Sequence, residues 1–244
     1  MITFTHDGSP GTGEVLGFVK SHLDLIKSLR TARDYVLELT DRLTLTDRAD
    51  PKRSFCIDLL GGREMRRILH TGKNSEALLR AVSHKGRLKG LRVSDASAGL
   101  GRDSMLLQSA GAEVSMHERN PVVYALLMDA LRRAGQDQRL KSLPNGLPRL
   151  MEFGCFSGAD EGCDVIYYDP MFPARTKSAL VRKDMQFFHA VVGEDADQEG
   201  VVGMLCGQDV RKVVVKRPRG AGPAWGVPGY SVHGGLCRFD CYVL

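Results

Sequence analysis

From Leu91 onward, short apolar runs alternate with amphipathic stretches of helical period, and this rhythm constrains the fold more than any other feature of the sequence. Strands that alternate with helices are typical of an open, doubly wound sheet of parallel strands. We therefore predict an α/β fold that binds ligands beyond the carboxyl ends of its strands. The predicted strands are Leu91–Asp95, Glu113–Glu118, Arg149–Phe153, Asp164–Tyr168, Lys212–Lys216 and Phe239–Val243, and the predicted helices are Asp103–Ala110, Pro121–Ala134 and Ser178–Val192.

The residues before Leu91 follow other periods. Apolar side chains from Glu14 to about Ser28 recur at helical spacing and predict one amphipathic helix. Three runs with apolar alternation then predict the strands of a small meander, namely Tyr35–Leu39, Leu43–Leu45 and Phe55–Leu60. A long loop rich in glycine and proline is predicted near the other end of the chain, over residues 220–235.

A basic segment separates the meander from the α/β part. It contains one predicted helix, Ser75–Val82, capped by Asn74 or Ser75. We predict three parts: a helix-plus-meander module over residues 1–62, the basic connecting segment over 63–90, and the α/β domain over 91–244.

Composition excludes some classes of protein. The 244 residues are 43% hydrophobic, enough for one substantial core, but no run approaches the roughly 20 apolar residues of a membrane helix. The first residues also lack a cationic stretch followed by an apolar run, so we expect a cytoplasmic protein. The net charge of +5 suits a polyanionic partner without requiring one. The cysteines form no C-x-x-C pair, so we expect no metal site.

A glycine loop follows the first strand of the predicted sheet. Asp95 ends the strand, and Gly99 and Gly101 let backbone N–H groups approach a ligand closely. Glu118, at the end of the next strand, is placed to accept hydrogen bonds from ribose hydroxyls. A dinucleotide fingerprint would have glycine or alanine at Ser104, so the loop favours S-adenosylmethionine over NAD. Asp95 is expected to meet the methionine ammonium; the alternatives are a capping role for Asp95 and a surface strand end for Glu118.

A second motif, Asp169-Pro170-Met171-Phe172, follows a buried strand. The amine of a nucleobase is a poor nucleophile because its lone pair is delocalised into the ring, and Asp169 is suited to accept its hydrogen bonds. Pro170 fixes the turn, and Phe172 can stack on a base extruded from its helix. The motif predicts a methyltransferase for an exocyclic amine of a base, without specifying the base.

Five tracts of the sequence closely resemble the bacterial 16S ribosomal RNA guanine-N2 methyltransferase family called RsmJ. They are DASAGLGRD, MHERNPVV, YYDPMFPARTKSALVRKDM, VVVKRP and RFDCYVL. The resemblance runs from about Gly61 to Leu244, is traceable in the meander, and is poor before Arg30. It implies a class I, Rossmann-like methyltransferase fold whose seven-stranded sheet has an antiparallel last strand. It also implies methylation of guanine N2 beside the dimethyladenosine loop of the last 16S helix, with 16S RNA or the 30S subunit as partner.

The resemblance also implies a set of cofactor-binding residues at the ends of the first strands. Together with Asp95, Gly99 and Gly101 they are Arg102, Asp103, Glu118, Arg119, Gly154 and Cys155, with Asp169 joining cofactor to substrate. Gly154 and Cys155 depart from the small hydroxyl residues that are usual at these positions in the family.

Basic side chains in three places are candidates for contacts with RNA phosphates, each of which would displace condensed counterions. They are Arg66, Arg67 and Lys73 in the basic segment, Arg175, Lys177, Arg182 and Lys183 after the Asp169 motif, and Lys216 with Arg217 at the end of a core strand. A solvated basic face is the alternative for the first group. Three alternatives to the whole interpretation stay open: an adenine-N6 methyltransferase on RNA or DNA, an NAD-dependent oxidoreductase, and an RNA-binding module without catalysis.

Overall fold

A computed structural model describes residues 1–70, 76–171, 191–192 and 198–244. Its strands are β1 (Ile2–His6), β2 (Tyr35–Leu39), β3 (Leu43–Asp47), β4 (Ser54–Phe55), β5 (Arg92–Asp95), β6 (Glu113–Met116), β7 (Arg149–Leu150), β8 (Val165–Tyr168), β9 (Lys212–Pro218), β10 (Tyr230–His233) and β11 (Cys237–Val243). Its helices are α1 (Gly13–Ser21), α2 (Leu23–Ser28), α3 (Gly62–His70), α4 (Ala77–Val82), α5 (Arg102–Ser109), α6 (Pro121–Ala134), α7 (Gln138–Lys141) and α8 (Gln198–Cys206). No helix within these described ranges is long and apolar enough to span a bilayer.

The chain divides into two compact units that interleave along the sequence. The first comprises Met1–Asp58, Asn120–Gln136 and Met171–Glu194, and the second comprises Leu59–Arg119, Asp137–Pro170 and Asp195–Leu244. Helix α6 thus groups with the N-terminal residues rather than with the residues around it in sequence. The domain boundaries predicted at residues 62 and 90 stay a prediction.

The first unit contains a four-stranded sheet in the order β1-β2-β3-β4. β1 pairs parallel with β2, while β2, β3 and β4 form the predicted antiparallel meander. Helix α6 packs against α1 and β3. It begins with Pro121 at its first turn, and the Asn120 side chain accepts hydrogen bonds from the N–H groups of Val122 and Val123. Its bounds confirm the predicted helix.

Two predictions about the N-terminal residues need correction. The helix predicted from Glu14 to Ser28 is broken at His22, whose ring stacks on Phe18 at 4.2 Å. The strand predicted over Phe55–Leu60 ends at Phe55. Ile57 and Leu59 are buried like strand residues, but the Ile57 carbonyl accepts a hydrogen bond from Arg133 instead of from a neighbouring strand. The alternation of apolar residues alone therefore predicted a longer strand than the backbone pairing forms.

The second unit contains a seven-stranded sheet in the order β10-β11-β9-β8-β5-β6-β7. The five strands from β9 to β7 are parallel, and β11 runs antiparallel to both of its neighbours. This arrangement confirms the class I, Rossmann-like fold with an antiparallel last strand. All four residues of β8 are buried, as expected of a central strand covered on both faces.

Several elements predicted from Ser75 onward differ from the structure or lie outside the described residues. β7 has two residues instead of five, and β10 lies inside the segment predicted as a loop. Helix α4 begins at Ala77 with Glu76 as its N-cap, so the predicted caps Asn74 and Ser75 lie outside the described residues. Most of the helix predicted over Ser178–Val192 also lies outside them.

Candidate functional site

The glycine loop after β5 is fixed to the end of β6 by a buried hydrogen bond. Gly99 and Gly101 have φ angles of 53° and 70°, in the left-handed region that residues with a Cβ disfavour. The Gly99 N–H donates to the Glu118 carboxylate at 3.0 Å. Gly101 then forms the N-cap of α5. Glu118 therefore shapes the loop directly and is not an exposed strand end.

Asp95 lies beneath this loop with a side chain that is almost fully buried. Its carboxylate accepts hydrogen bonds from the Ser97 N–H at 3.0 Å and from the Ser104 hydroxyl. Burial raises the pKa of Asp95 to about 7, despite the opposing effect of these hydrogen bonds. A cationic group placed beside Asp95 would favour its ionised form.

This shift predicts how stability depends on pH. Because the pKa of Asp95 is raised in the folded protein, the carboxyl stabilises the fold below its ordinary pKa, and that contribution is lost as pH rises toward 7. Asp95→Asn abolishes the loss. From pH 5 to pH 8, the unfolding free energy of the variant should therefore rise by about 2–3 kcal/mol relative to the unchanged protein. Urea unfolding at both pH values measures this difference, and parallel pH profiles would contradict it.

Asp169 lies at the carboxyl end of β8, next to the glycine loop. Its backbone N–H donates to the Ser97 hydroxyl oxygen at 2.7 Å, so Ser97 connects the ends of β5 and β8. The Asp169 carboxylate accepts a hydrogen bond from the Lys216 ammonium at 2.8 Å. The side chain is 34% exposed and is therefore accessible to a substrate.

Lys216 contacts a second carboxylate as well. Its ammonium lies 2.9 Å from an oxygen of Asp103. Burial lowers the pKa of Lys216, but the charges of Asp169 and Asp103 outweigh it and hold the pKa above its ordinary value. The lysine is therefore a permanent cation between two acidic groups.

Asp103 connects this cation to α3. It accepts a hydrogen bond from the Tyr167 hydroxyl at 2.8 Å and longer ones from Arg67 at 3.4 Å. Arg67 in turn donates two hydrogen bonds to the Glu76 carboxylate. Burial raises the pKa of Asp103, yet the charges of Lys216 and Arg67 and the hydrogen bonds bring it below its ordinary value. Asp103 is thus an ionised centre with three donors.

The third-strand stretch lies beside Glu118. The Gly154 N–H donates to the Glu118 backbone carbonyl at 3.4 Å, and Cys155 is exposed. Arg102 is half-buried at the start of α5, and Arg119 is exposed. The structure thus places the predicted cofactor residues of three neighbouring strands at one edge of the sheet. Their contacts with a cofactor stay predictions.

The basic residues predicted to contact RNA differ in their surroundings. Arg66 is exposed on α3, whereas Arg67 and Lys216 belong to the ion-pair network already described. Arg217 donates to the Gln198 side chain at 2.7 Å and to the Gly222 carbonyl. The remaining predicted site residues lie outside the described ranges; they are Lys73, Phe172, Arg175, Lys177, Arg182 and Lys183.

Four residues of the site were not predicted, namely Ser97, Ser104, Tyr167 and Glu76. Tyr167 had a usable signal, because residues two apart on a strand project to the same side and Asp169 follows it at that spacing. Ser104 enters the sequence prediction only as the absence of a glycine, yet its fully buried hydroxyl donates to Asp95. Within the described residues, no group of three His, Cys, Asp or Glu side chains is arranged to hold a metal ion.

Comparisons with known proteins find methyltransferases in each case. A family model described as "Putative SAM-dependent methyltransferase" matches residues 20–244. The ribosomal RNA small subunit methyltransferase J of Hahella chejuensis is 42% identical over 190 residues, which are 77% of this chain and 72% of that protein. The protein of the same name from Shewanella oneidensis is 38% identical over 209 residues, 84% of each chain. Among solved structures, a SAM-dependent methyltransferase from Neisseria gonorrhoeae superposes with a TM-score of 0.68 at 27% identity, covering 100% of this chain and 96% of that one.

Proposed function

The chain belongs to the family of ribosomal RNA small subunit methyltransferase J, and from this we propose that it methylates the exocyclic N2 of a guanine in 16S ribosomal RNA. The proposed nucleotide lies near the 3′-terminal helix of the small subunit, and the proposed partner is 16S RNA or the 30S particle in the cytoplasm. The methyl donor of the family is S-adenosylmethionine.

The residues at the sheet edge fit this donor. Asp95 is a buried carboxylate suited to the methionine ammonium, and Glu118 is an acidic group at the strand end where ribose hydroxyls are bound in such folds. Gly99 and Gly101 adopt left-handed φ angles, which let the loop between β5 and α5 turn tightly. A dinucleotide would instead need glycine or alanine at position 104, and Ser104 uses its buried hydroxyl to hold Asp95. The oxidoreductase alternative therefore loses its support.

One observation supports the catalytic role most directly: Asp169 is held at the carboxyl end of β8, adjacent to the glycine loop, by Ser97 and Lys216. An acceptor fixed there can orient a base amine toward the methyl donor, and positioning of this kind contributes strongly to the rate of a displacement.

The chemistry asked of the protein is modest. S-adenosylmethionine supplies a methyl group activated by its sulfonium. Asp169 accepts a hydrogen bond from the amine and keeps its lone pair in line, while Pro170 fixes the turn that carries the carboxylate. The nitrogen gains the methyl as the carbon–sulfur bond of the donor breaks, and it then releases one proton to water. Phe172, outside the described residues, is proposed to stack on the flipped base.

The proposal is tested by mapping the modified nucleotide. Undermodified small subunits are incubated with the protein and labelled S-adenosylmethionine, and the RNA is digested for mass spectrometry. We expect one N2-methylguanine near the 3′ end of 16S RNA. Methylation of adenine N6 would contradict the guanine assignment and favour the alternative substrate.

Glu118 is predicted to control cofactor affinity. Glu118→Ala leaves the buried Gly99 N–H without its acceptor, at a cost of about 1–3 kcal/mol, and removes the proposed ribose contact. The Kd for S-adenosylhomocysteine should rise about 10- to 100-fold by calorimetry. Glu113→Ala, at the exposed start of β6, the strand that precedes Glu118, is the matched control and should leave Kd unchanged. Equal Kd values for the two variants would rule out the role of Glu118.

Lys177 and Lys183 are proposed to contact phosphates around the target base. Neutralising both to glutamine should weaken RNA binding and reduce the slope of log K against log salt by about 2 units. Lys20 and Lys27, on α1 and α2, provide the control pair. An unchanged slope in the Lys177 and Lys183 variant would contradict the phosphate role.

A further inference from the structure

We propose that Lys216 is a positioning residue for methyl transfer, which orients the Asp169 carboxylate, rather than a contact for RNA phosphates. This inference rests on the proposed role of Asp169 as acceptor for the base amine. It assigns to the end of β9 a part in catalysis that neither the glycine loop nor the Asp169 motif contains.

The sheet register brings the two side chains together. The last ladder pair of β8 and β9 joins Tyr168 to Val215, so Asp169 and Lys216 stand opposite each other one residue further on. The ammonium is 2.8 Å from Asp169 and 2.9 Å from Asp103. It is therefore a bridge between two carboxylates and not a side chain extended into solvent, where it would meet a phosphate.

The bridge is anchored at its far end. Asp103 is held by the Tyr167 hydroxyl and by Arg67, and Arg67 is held by the Glu76 carboxylate. Lys216 itself follows Val213, Val214 and Val215, which are fully buried in β9. A cation with such fixed supports restricts where the Asp169 carboxylate can lie, which is the property that a base acceptor needs.

Charge makes the bridge necessary. Three carboxylates converge at this edge of the sheet, from Asp95 on β5, Asp103 on α5 and Asp169 after β8. Burial and then the charges of Asp103 and Asp169 raise the pKa of Asp95, and burial with the charges of all three carboxylates raises the pKa of Tyr167. Among the residues that the structure describes, the cations near these carboxylates include Lys216 and, from α3, Arg67, and the neutral groups include Tyr167 and, from β11, Cys237. Without the ammonium, Asp103 and Asp169 repel each other and Asp169 turns away from its working position.

The test separates positioning from phosphate binding. Lys216→Met is compared with Arg219→Gln, which removes an exposed cation three residues further along the same chain segment. Single-turnover rates, KM for RNA, the salt slope of RNA binding and the Kd for S-adenosylhomocysteine are measured for each. For Lys216→Met we expect a loss of about 100-fold in rate, as for a misplacement of about 1 Å. RNA affinity and cofactor Kd should stay within about threefold of the unchanged protein, and the salt slope should be unchanged. The acid limb of the pH–rate profile should also move to higher pH.

Two further variants keep the result interpretable. Lys216→Arg retains the cation and should recover part of the rate, which separates a lost charge from a damaged fold. In the double variant Lys216→Met with Asp169→Asn, the rate should be no lower than in Asp169→Asn alone, because the lysine acts through the carboxylate. A raised KM with a flattened salt slope and an unchanged rate would overturn the inference and make Lys216 a phosphate contact. Full activity of Asp169→Asn would instead refute the proposed function.

Discussion

Replacing Asp169 by alanine is expected to lower the rate of methyl transfer by about 100- to 1000-fold, the usual cost of removing one preorganised group that acts in the transition state. The affinity for S-adenosylhomocysteine should change much less, because Gly99, Glu118 and Asp95 hold their positions through hydrogen bonds that do not involve the Asp169 side chain. Single-turnover kinetics and calorimetry on the same preparation separate the two effects.

Asp164→Asn is the matched control for this experiment. Asp164 precedes β8 at its opposite end, where it accepts a hydrogen bond from the Arg92 N–H and pairs with Arg211. The control should keep its rate of transfer. Asp169→Asn adds a further comparison, because it keeps the shape and one acceptor oxygen but loses the charge beside Lys216. If Asp169→Ala lost cofactor binding and transfer in proportion, Asp169 would be a cofactor residue and not the acceptor for the amine.

The sequence indicated the backbone geometry of the candidate site wherever that geometry depends on consecutive residues. The glycine loop needs left-handed backbone at Gly99 and Gly101, and glycine is the residue that supplies it. Asp169 follows an apolar run long enough to be a central strand, so its position at a sheet edge was readable from order alone. The family resemblance predicted seven strands and the antiparallel direction of the last one. Periodicity alone predicted only six strands.

The pairings across the sheet were not readable in the same way. Lys216 is 47 residues from Asp169 in sequence and 2.8 Å from it in space. The sequence indicates that each of these two residues lies at the end of a strand. Which residue each one contacts depends on strand order and register. In sequence, Lys216 is a basic residue beside Arg217 and therefore resembles any other candidate for a phosphate contact. The ion pairs of Arg67 could not be predicted for the same reason, because its carboxylate partners Glu76 and Asp103 come from other helices or their caps.

The elements that the sequence did not predict are the helices α3, α7 and α8 and the edge strands β1 and β10. The sequences of these two strands, ITFTH for β1 and YSVH for β10, do alternate apolar with polar residues, but the runs are short; β1 buries mainly Ile2, and β10 is flanked by glycines. Each is formed because a neighbouring strand offers unpaired backbone groups, at β2 and β11 respectively. Tertiary pairing of this kind outweighs local composition.

Asp129 is another residue whose contacts the sequence does not reveal. The second large predicted effect, on the free energy of unfolding, concerns this residue. In sequence it lies within α6 and precedes Arg132 and Arg133 at the spacing of an ordinary surface ion pair. In the structure it is fully buried, accepts the Leu43 N–H at 3.0 Å, and pairs with both arginines at 2.8 and 2.9 Å. The arginines also donate to the carbonyls of Asp41 and Ile57. One carboxylate therefore organises the contact of α6 with the β2–β3 turn and with the segment after β4.

Asp129→Ala should consequently reduce the free energy of unfolding by about 3–5 kcal/mol, because two mostly buried guanidinium groups and a buried N–H lose their acceptor together. Asp129→Asn, which still offers one oxygen to Leu43, should lose less. Asp41→Ala removes an exposed carboxylate that lies 3.9 Å from Arg42, and such a pair contributes at most about 1 kcal/mol. Urea unfolding of the three variants gives the comparison. A loss in Asp129→Ala no greater than in Asp41→Ala would mean that α6 is held by its apolar contacts alone, and that the buried charge contributes specificity rather than stability.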